Sequence, residues 1–451
     1  MDARRLLLTD LYQLTMLEAY WREGFTATAV FELFVRKLPS SRNFLLTAGI
    51  EAALDYLESA RFTADELDYL ARTNRFSAEF LRWLATWRFE GDVDALPEGT
   101  LFFPDEPMLR VTAPMPQAQL IETRLVNLLQ YPTMVASKAA RCVLAAPGRT
   151  LVEFGARRAH GAESALSAAR AAYLAGFSGT SNVLAGQTWE IPVFGTMAHS
   201  YVMAHDEEWR AFVEFARAQP DNVVLLIDTY DVMAGVEEVL RAADVLQRES
   251  IAVRAVRLDS GDVGAQARQV RRRLDQAGRS EIGIFASGDL DESRLAELVG
   301  EDAPIDGYGV GTKLTTCADA PYLSIVYKLQ EYDGIPRRKT SRGKQTWPGA
   351  KQIDRITDRS GRWQHDRLAL ADEPRQGMPL LVPVMRSGRR TNEPESLETV
   401  RRRAAEQLDM LPEPWRRLEP APPFPVQVSD AVQRLAHEVD RRHRHADPPG
   451  P

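Results

Sequence analysis

Cysteine is close to absent: Cys142 and Cys317 are the only two in 451 residues. Two distant thiols build neither a disulfide framework nor a CxxC-type metal site, and they fit a reducing compartment. Long apolar runs are also missing. No stretch reaches the roughly 18 residues of a membrane span, and the start, "MDARRLLLTDLYQLTM", is too short in its apolar part for a signal peptide. Histidine is scarce, with seven in all, and His437, His443 and His445 crowd into the C-terminal segment. Without a second His or Cys near any candidate, zinc is not expected. Charge of one sign is only mildly in excess: the formal net charge of −7 suggests no nucleic-acid or membrane surface. A local basic pocket for an anionic substrate remains open. These absences describe a soluble, cytoplasmic protein.

What is present is ample core. Hydrophobic residues make up 44% of the chain, and the length suggests about three domain-sized units, or fewer if one is a large barrel. "TDLYQLTMLEAYWREG" reads as a helix opened by Thr9 and Asp10 and closed by Gly24. "VFELFVRK" reads as a strand, "NFLLTAGIEAALDYLE" as a helix led by Asn43, and residues 97–116 as Pro-punctuated strands. A long helical region over 117–146 is expected to break near Pro132.

From about residue 150 the texture changes. Apolar runs recur ("TLVEF", "IPVFG", "NVVLLID", "IAVRAVRLD", "EIGIFASGD", "PIDGYGVGT") with amphipathic helices between the later ones. Val263, Ala267, Val270 and Leu274 mark one helical face, and Val232, Val236, Val239, Ala243 and Leu246 another. Such units argue for parallel strands buried on both faces, and their succession favours a (β/α) barrel over an open sheet. Polar, Gly-rich clusters follow the runs, where strand C-termini would open on one face. Beyond residue 335 the chain turns basic, and the end, "VDRRHRHADPPGP", is expected to be disordered.

The chemistry-bearing residues sit in those clusters. "ASGD" (286–289) and "GYGVGT" (307–312) are Gly-rich turns whose amides could approach phosphate, although a single such loop is more often a plain turn. "RLDSGD" places Arg257 and Asp259 on one side of a strand end, with Asp262 beyond. "EFGARRAHG" offers Phe154 for stacking and Arg157 and Arg158 for an anion, against the blander reading of a core ring and solvated arginines. His199, in "GTMAHSYV", lies in a loop of small residues. An acid/base or nucleophilic role is open to it, with Asp228 and Asp231 of "IDTYD" as candidate orienting groups.

Taken together, "LLTDLYQLTM", "FELFVRKLP", "ALPEGTLFFPDEPMLRV", "GFSGTSNVLAG", "GTMAHSYV", "VRLDSGD", "GYGVGTKL" and "YKL", in unbroken order over residues 6–330, resemble the nicotinate phosphoribosyltransferase family. The resemblance implies a type II phosphoribosyltransferase fold. Residues 1–134 and 336–451 would form an α/β sandwich with a disordered tail, and 135–335 an irregular, TIM-like α/β barrel carrying the active site. It implies transfer of phosphoribosyl from 5-phosphoribosyl-1-pyrophosphate (PRPP) to nicotinate, giving nicotinate mononucleotide and pyrophosphate for NAD biosynthesis. ATP would serve as co-substrate and magnesium would accompany PRPP and ATP. The histidine of the GTxxHS motif, His199 here, would be transiently phosphorylated.

By the same resemblance, Tyr12 would stack on nicotinate from the second subunit of a homodimer, and Phe154 would cover the other face. Arg157, Thr196 and Arg257 would line the ring pocket. Ser287, Gly288, Gly309, Gly311 and Thr312 would cradle the 5-phosphate, with Asp259 near the ribose or magnesium. The alternatives are a nicotinamide phosphoribosyltransferase and a non-catalytic PRPP-binding barrel. The nicotinamide enzymes carry an aspartate after "GT", where "GTSN" has Ser181; a serine can donate to a carboxylate that an aspartate would repel. The intact His199, Arg257 and "GVGT" argue against the non-catalytic reading. Two departures stand out: no C-terminal zinc-binding Cys cluster, and an Ala-rich "GAESALSAARAAY".

Overall fold

A computed structural model describes residues 6–446, with side chains described through residue 442. The chain divides into two compact units, one from residues 1–134 with 322–451 and the other from 135–321.

The first unit is built on an antiparallel seven-stranded sheet. Its centre is Thr28–Val35, hydrogen-bonded to Pro107–Pro114 on one side and Ile325–Tyr332 on the other. That second pairing moves the expected boundary near residue 335 back to 321, because Ile325–Tyr332 completes this sheet. A four-stranded sheet of Met378–Pro379, Lys351–Thr357, Trp363–Leu370 and Val426–Val428 accompanies it. Its buried Arg355 pairs with Asp366 at 2.6 Å and lies 3.8 Å from the centre of the Trp363 ring.

Three local expectations need correction. Gly49, not Asn43, precedes the helix Ile50–Ser59, because Leu45–Leu46 is taken up by pairing with Leu101–Phe102. Pro132 does not break Glu122–Ala145. A proline there leaves the carbonyl four residues back without its helical donor, and Gly49, at φ +94°, makes room for it: a Cβ at Gly49 would stand 2.3 Å from Leu128 O. The C-terminal segment is helical, Asp430–Ala446; residues 447–451 lie outside the described residues.

The second unit carries six parallel strands: β1 Thr150–Glu153, β2 Gly179–Thr180, β3 Val224–Leu226, β4 Ala255–Leu258, β5 Gly283–Ala286 and β6 Gly307–Val310. They form one sheet in the order β2-β1-β6-β5-β4-β3, extended by an isolated parallel bridge between Thr180 and Val193. Being parallel, they bring all their C-terminal ends to one edge. Three consecutive strand-to-helix loops finish on an aspartate N-cap. Asp231 accepts from Ala234 N at 2.8 Å, Asp262 from Ala265 N at 3.2 Å, and Asp291 from Arg294 N at 3.0 Å. Each such cap stabilises its helix by about 1 kcal/mol. Of the apolar faces read from the sequence, Val263, Ala267, Val270 and Leu274 are buried, as are Val236, Val239, Ala243 and Leu246, while Val232 at the helix start is half-buried.

Where Glu208–Ala218 packs on Val232–Arg248, burial and then the nearby charge of Glu238 push the Glu208 carboxyl up to about 7. The folded state therefore holds this proton more tightly than the unfolded chain. That contribution is full below about pH 4.5 and fades as pH rises through about 7. Glu208→Gln, permanently neutral, is expected to melt like the parent near pH 5 and higher near pH 8.5. The gain, reduced for partial exposure, is about 1–2 kcal/mol, read as the difference in Tm between the two pH values.

Candidate active site

The strand ends bring Arg257, Thr196, His199, Ser287 and Gly288 into one group of contacts, and Asp259 is its centre. Asp259 follows β4. Its Oδ1 accepts the Ser287 hydroxyl at 2.5 Å and lies 3.6 Å from Arg257 Nη2, while its Oδ2 lies 3.8 Å from His199 Nε2. Asp228, after β3, holds the Asp259 turn: its Oδ2 accepts Asp259 N at 3.0 Å and the Ser260 hydroxyl at 2.6 Å. Its Oδ1 is buried without a hydrogen-bond partner among the described residues.

On one side of Asp259 lies a cavity of about 580 Å³, whose lining includes Ser287, Gly288, Asp289, Arg294 and Lys313. Gly288 has φ +88°, and a Cβ there would come within 2.0 Å of Asp259 O. No larger residue fits that turn, which is the physical reason for glycine in "ASGD". Lys313 reaches across to Asp291 at 2.9 Å and ties the loop after β6 to the loop after β5.

On the other side stand Arg257, Thr196 and His199. Arg257 Nη1 donates to Thr196 Oγ1 at 2.8 Å, while Arg257 Nε is buried with no partner among the described residues. Burial holds the guanidinium's pKa below its usual value. Asp259 and Asp228 oppose that shift, and the charge of Arg157 adds to it. Arg157 itself is exposed on the short turn Ala156–Arg158. His199 begins the helix His199–Met203, and its Nδ1 lies 3.2 Å from Thr229 Oγ1.

Phe154 leaves β1 and packs against Gly309, where a Cβ would come within 2.4 Å of its ring, and sits 6.0 Å from the Phe285 ring centre. Gly311 is likewise pressed on the Phe154 backbone, and Thr312 opens the short helix Thr312–Thr315 in an exposed position. Ser181 follows β2, its amide donating to Glu153 O at 2.9 Å. Tyr12 belongs to the other unit. It is half-exposed on Leu11–Glu23, its hydroxyl 3.5 Å from Glu122 Oε2.

Three candidate roles change. Of the two groups expected to orient His199, Asp228 is engaged with Asp259 N and Ser260 and Asp231 caps a helix; the side chain at His199 Nδ1 is Thr229, which the sequence reading passed over. Asp262 is likewise a cap. Glu153 and Thr180, also missed, are taken up below. Thr229 carried no signal beyond standing two residues before a cap.

Comparison with known proteins places these residues in a family. Residues 7–130, 150–350 and 374–436 match the models described as the nicotinate phosphoribosyltransferase (NAPRTase) N-terminal domain, the NAPRTase family and the nicotinate phosphoribosyltransferase C-terminal domain. The chain is 49% identical over 443 residues to nicotinate phosphoribosyltransferase pncB2 of Mycobacterium tuberculosis, covering 98% of this chain and 94% of that one. It is 33% identical over 523 residues to the human nicotinate phosphoribosyltransferase, covering 97% of each. A crystal structure of human nicotinic acid phosphoribosyltransferase superposes with a TM-score of 0.86 at 31% identity, covering 96% of this chain and 99% of that one. With the strand-end cluster around Asp259 and full-length matches of this depth, the chain belongs to the nicotinate phosphoribosyltransferase family.

Proposed function

We propose that the protein transfers phosphoribosyl from PRPP to nicotinate, in NAD salvage, with ATP hydrolysis coupled through His199. The carrying observation is the convergence of Arg257, His199 and Ser287 on Asp259 at the strand ends. In this reading, Arg257, Arg157, Thr196 and Ser181 hold the carboxylate, and Phe154 covers the ring. Tyr12 of a second subunit closes over it in a homodimer. Ser287, Gly288, Gly309, Gly311 and Thr312 hold the 5-phosphate by amides and hydroxyls.

The nicotinate nitrogen then attacks the anomeric carbon as its bond to the pyrophosphate oxygen breaks. Holding ring and sugar in line removes much of the entropic barrier, and fixed cations and amides stabilise the departing anion. Asp228, with its orphaned Oδ1, and Asp259 fit a magnesium ion carried in by the substrate; bound, it would neutralise pyrophosphate charge. Among the described residues no three His, Cys, Asp or Glu side chains gather as a metal cage. In the ATP step His199 Nε2 attacks the terminal phosphorus, the bond to ADP breaks, and water later releases phosphate.

Closure of the six-stranded sheet into an irregular barrel is part of this reading. The Thr180–Val193 bridge, which begins a further parallel pairing at the free edge, supports it. A cytoplasmic setting suits the two buried thiols; no helix among the described residues is long and apolar enough to cross a membrane.

The test is to supply PRPP and magnesium with nicotinate or nicotinamide, with and without ATP, and to follow mononucleotide and ADP. Nicotinate mononucleotide formed faster or further with ATP is the expected result. Turnover of nicotinamide alone would overturn the acid specificity, and PRPP binding without turnover of either ring would leave the non-catalytic alternative.

A further inference from the structure

Glu153 ends β1 with no exposed surface, and no cation pairs with it among the described residues. Burial pushes its pKa up, and hydrogen bonds from Thr180 and Gly155 pull it back. An apolar side chain would fill the same space but would leave the Gly155 amide and the Thr180 hydroxyl without their acceptor. The carboxylate is therefore tied to what those two donors belong to.

Its hydrogen bonds reach two loops. Oε1 accepts the Gly155 amide, and Oε2 accepts the Thr180 hydroxyl at 2.6 Å. Thr180 Oγ1 in turn accepts the Asn182 amide at 3.0 Å, and the Glu153 carbonyl accepts the Ser181 amide at 2.9 Å. The sheet register explains the reach, since Glu153 stands opposite Thr180 on β2 and Val310 on β6. Gly155 is locked as well: a Cβ there would come within 2.2 Å of the Thr315 side chain. One buried residue thus holds both the turn bearing Phe154 and Arg157 and the turn bearing Ser181.

We infer that Glu153 is a positioning residue, a buried brace that keeps the Phe154–Arg157 turn and the Ser181–Asn182 turn in register as two walls of the ring pocket. The inference rests on the reading of those walls as the nicotinate site. A carboxylate suits the task because both of its oxygens accept, and the donors come one from each loop. In Glu153→Gln the amide nitrogen must face one of those donors. In Thr180→Val the volume is kept, but Glu153 Oε2 and the Asn182 amide both lose their partner.

The experiment uses the full chain with Glu153→Gln, Thr180→Val and Thr180→Ser. Both KM values are measured, together with backbone hydrogen exchange in the unliganded protein. The first two variants are expected to raise KM for nicotinate about tenfold while KM for PRPP stays within about twofold; Thr180→Ser, which keeps the hydroxyl, is expected to restore parent behaviour. The Asn182 amide should exchange about tenfold faster in Thr180→Val, as should the Gly155 amide in Glu153→Gln. Equal shifts in both KM values, no rescue by serine, or unchanged exchange would overturn the brace. If Glu153→Gln does not fold, the Thr180 pair decides alone. A parent protein that does not use nicotinate, but whose variants still loosen these amides, would overturn the ring-pocket reading and leave the brace standing.

Discussion

His199→Ala is expected to abolish the stimulation of mononucleotide formation by ATP and to lower kcat/KM in its presence by roughly 10²–10³-fold. The argument starts from the ring's two nitrogens. Nδ1 lies 3.2 Å from Thr229 Oγ1, and the tautomer that donates this hydrogen bond leaves the Nε2 lone pair free to attack. Attack makes the ring cationic, and Asp259 Oδ2, 3.8 Å from Nε2, is placed to stabilise that charge. Ala198 and Gly195 beside it present no bulk to a terminal phosphate. With terminally labelled ATP, the parent should retain acid-labile, base-stable phosphate on the protein and His199→Ala none. Thr229→Val, which frees the ring to rotate, should fall between them. Persistence of ATP stimulation in His199→Ala would remove the histidine from the coupling and leave it a structural residue of the Asp259 cluster.

What could be read from the sequence, and what could not, follows from the range of the interactions. The strands of the second unit were legible because they are largely apolar, with buried residues at least at every other position: "VLL" and "GIFA" needed no partner to be recognised. The glycines of "ASGD" and "GYGVGT" were legible as close approaches, though what they approach, Asp259 O and the Phe154 ring, was not. Caps were half-legible. Asp231 and Asp262 stand where helices begin, but an aspartate offered to a histidine and one offered to a backbone amide look alike in one dimension. Thr229 was invisible because its partner lies 30 residues away, and a threonine has no distinctive spacing of its own. Glu153 was hidden by its place in "TLVEF", where it reads as the polar end of a strand rather than a buried hub. Pro132 misled because the remedy for its missing hydrogen bond, the room at Gly49, comes from a distant turn. The boundary after the second unit shifted for a similar reason: the strand Ile325–Tyr332 is defined by its pairing with Thr28–Val35, some 300 residues earlier in the chain.

Arg257→Lys is expected to raise KM for nicotinate by about 100-fold and to change turnover of nicotinamide far less. In the unliganded protein the guanidinium is unevenly satisfied. Nη1 donates to Thr196, Nη2 stands 3.6 Å from Asp259, and Nε is buried with no acceptor among the described residues. A buried donor without a partner costs roughly 1–3 kcal/mol, and burial disfavours the guanidinium's charge by more than Asp259 and Asp228 restore, with Arg157 adding a smaller repulsion. An entering carboxylate would relieve both, accepting from the guanidinium and adding a direct counter-charge to the one that Asp259 supplies at 3.6 Å. A lysine keeps the charge but presents no planar fork, so it cannot hold Thr196 and a carboxylate oxygen in one geometry. The loss of a charge-assisted hydrogen bond, about 2–3 kcal/mol, corresponds to the 100-fold expected. A neutral carboxamide draws on that charge far less, so the informative quantity is the ratio of kcat/KM for the acid to that for the amide. A ratio that collapses in Arg257→Lys assigns acid recognition to this guanidinium acting beside Ser181. A ratio that holds would transfer the role to Arg157, whose exposed turn leaves it free to swing toward the ring.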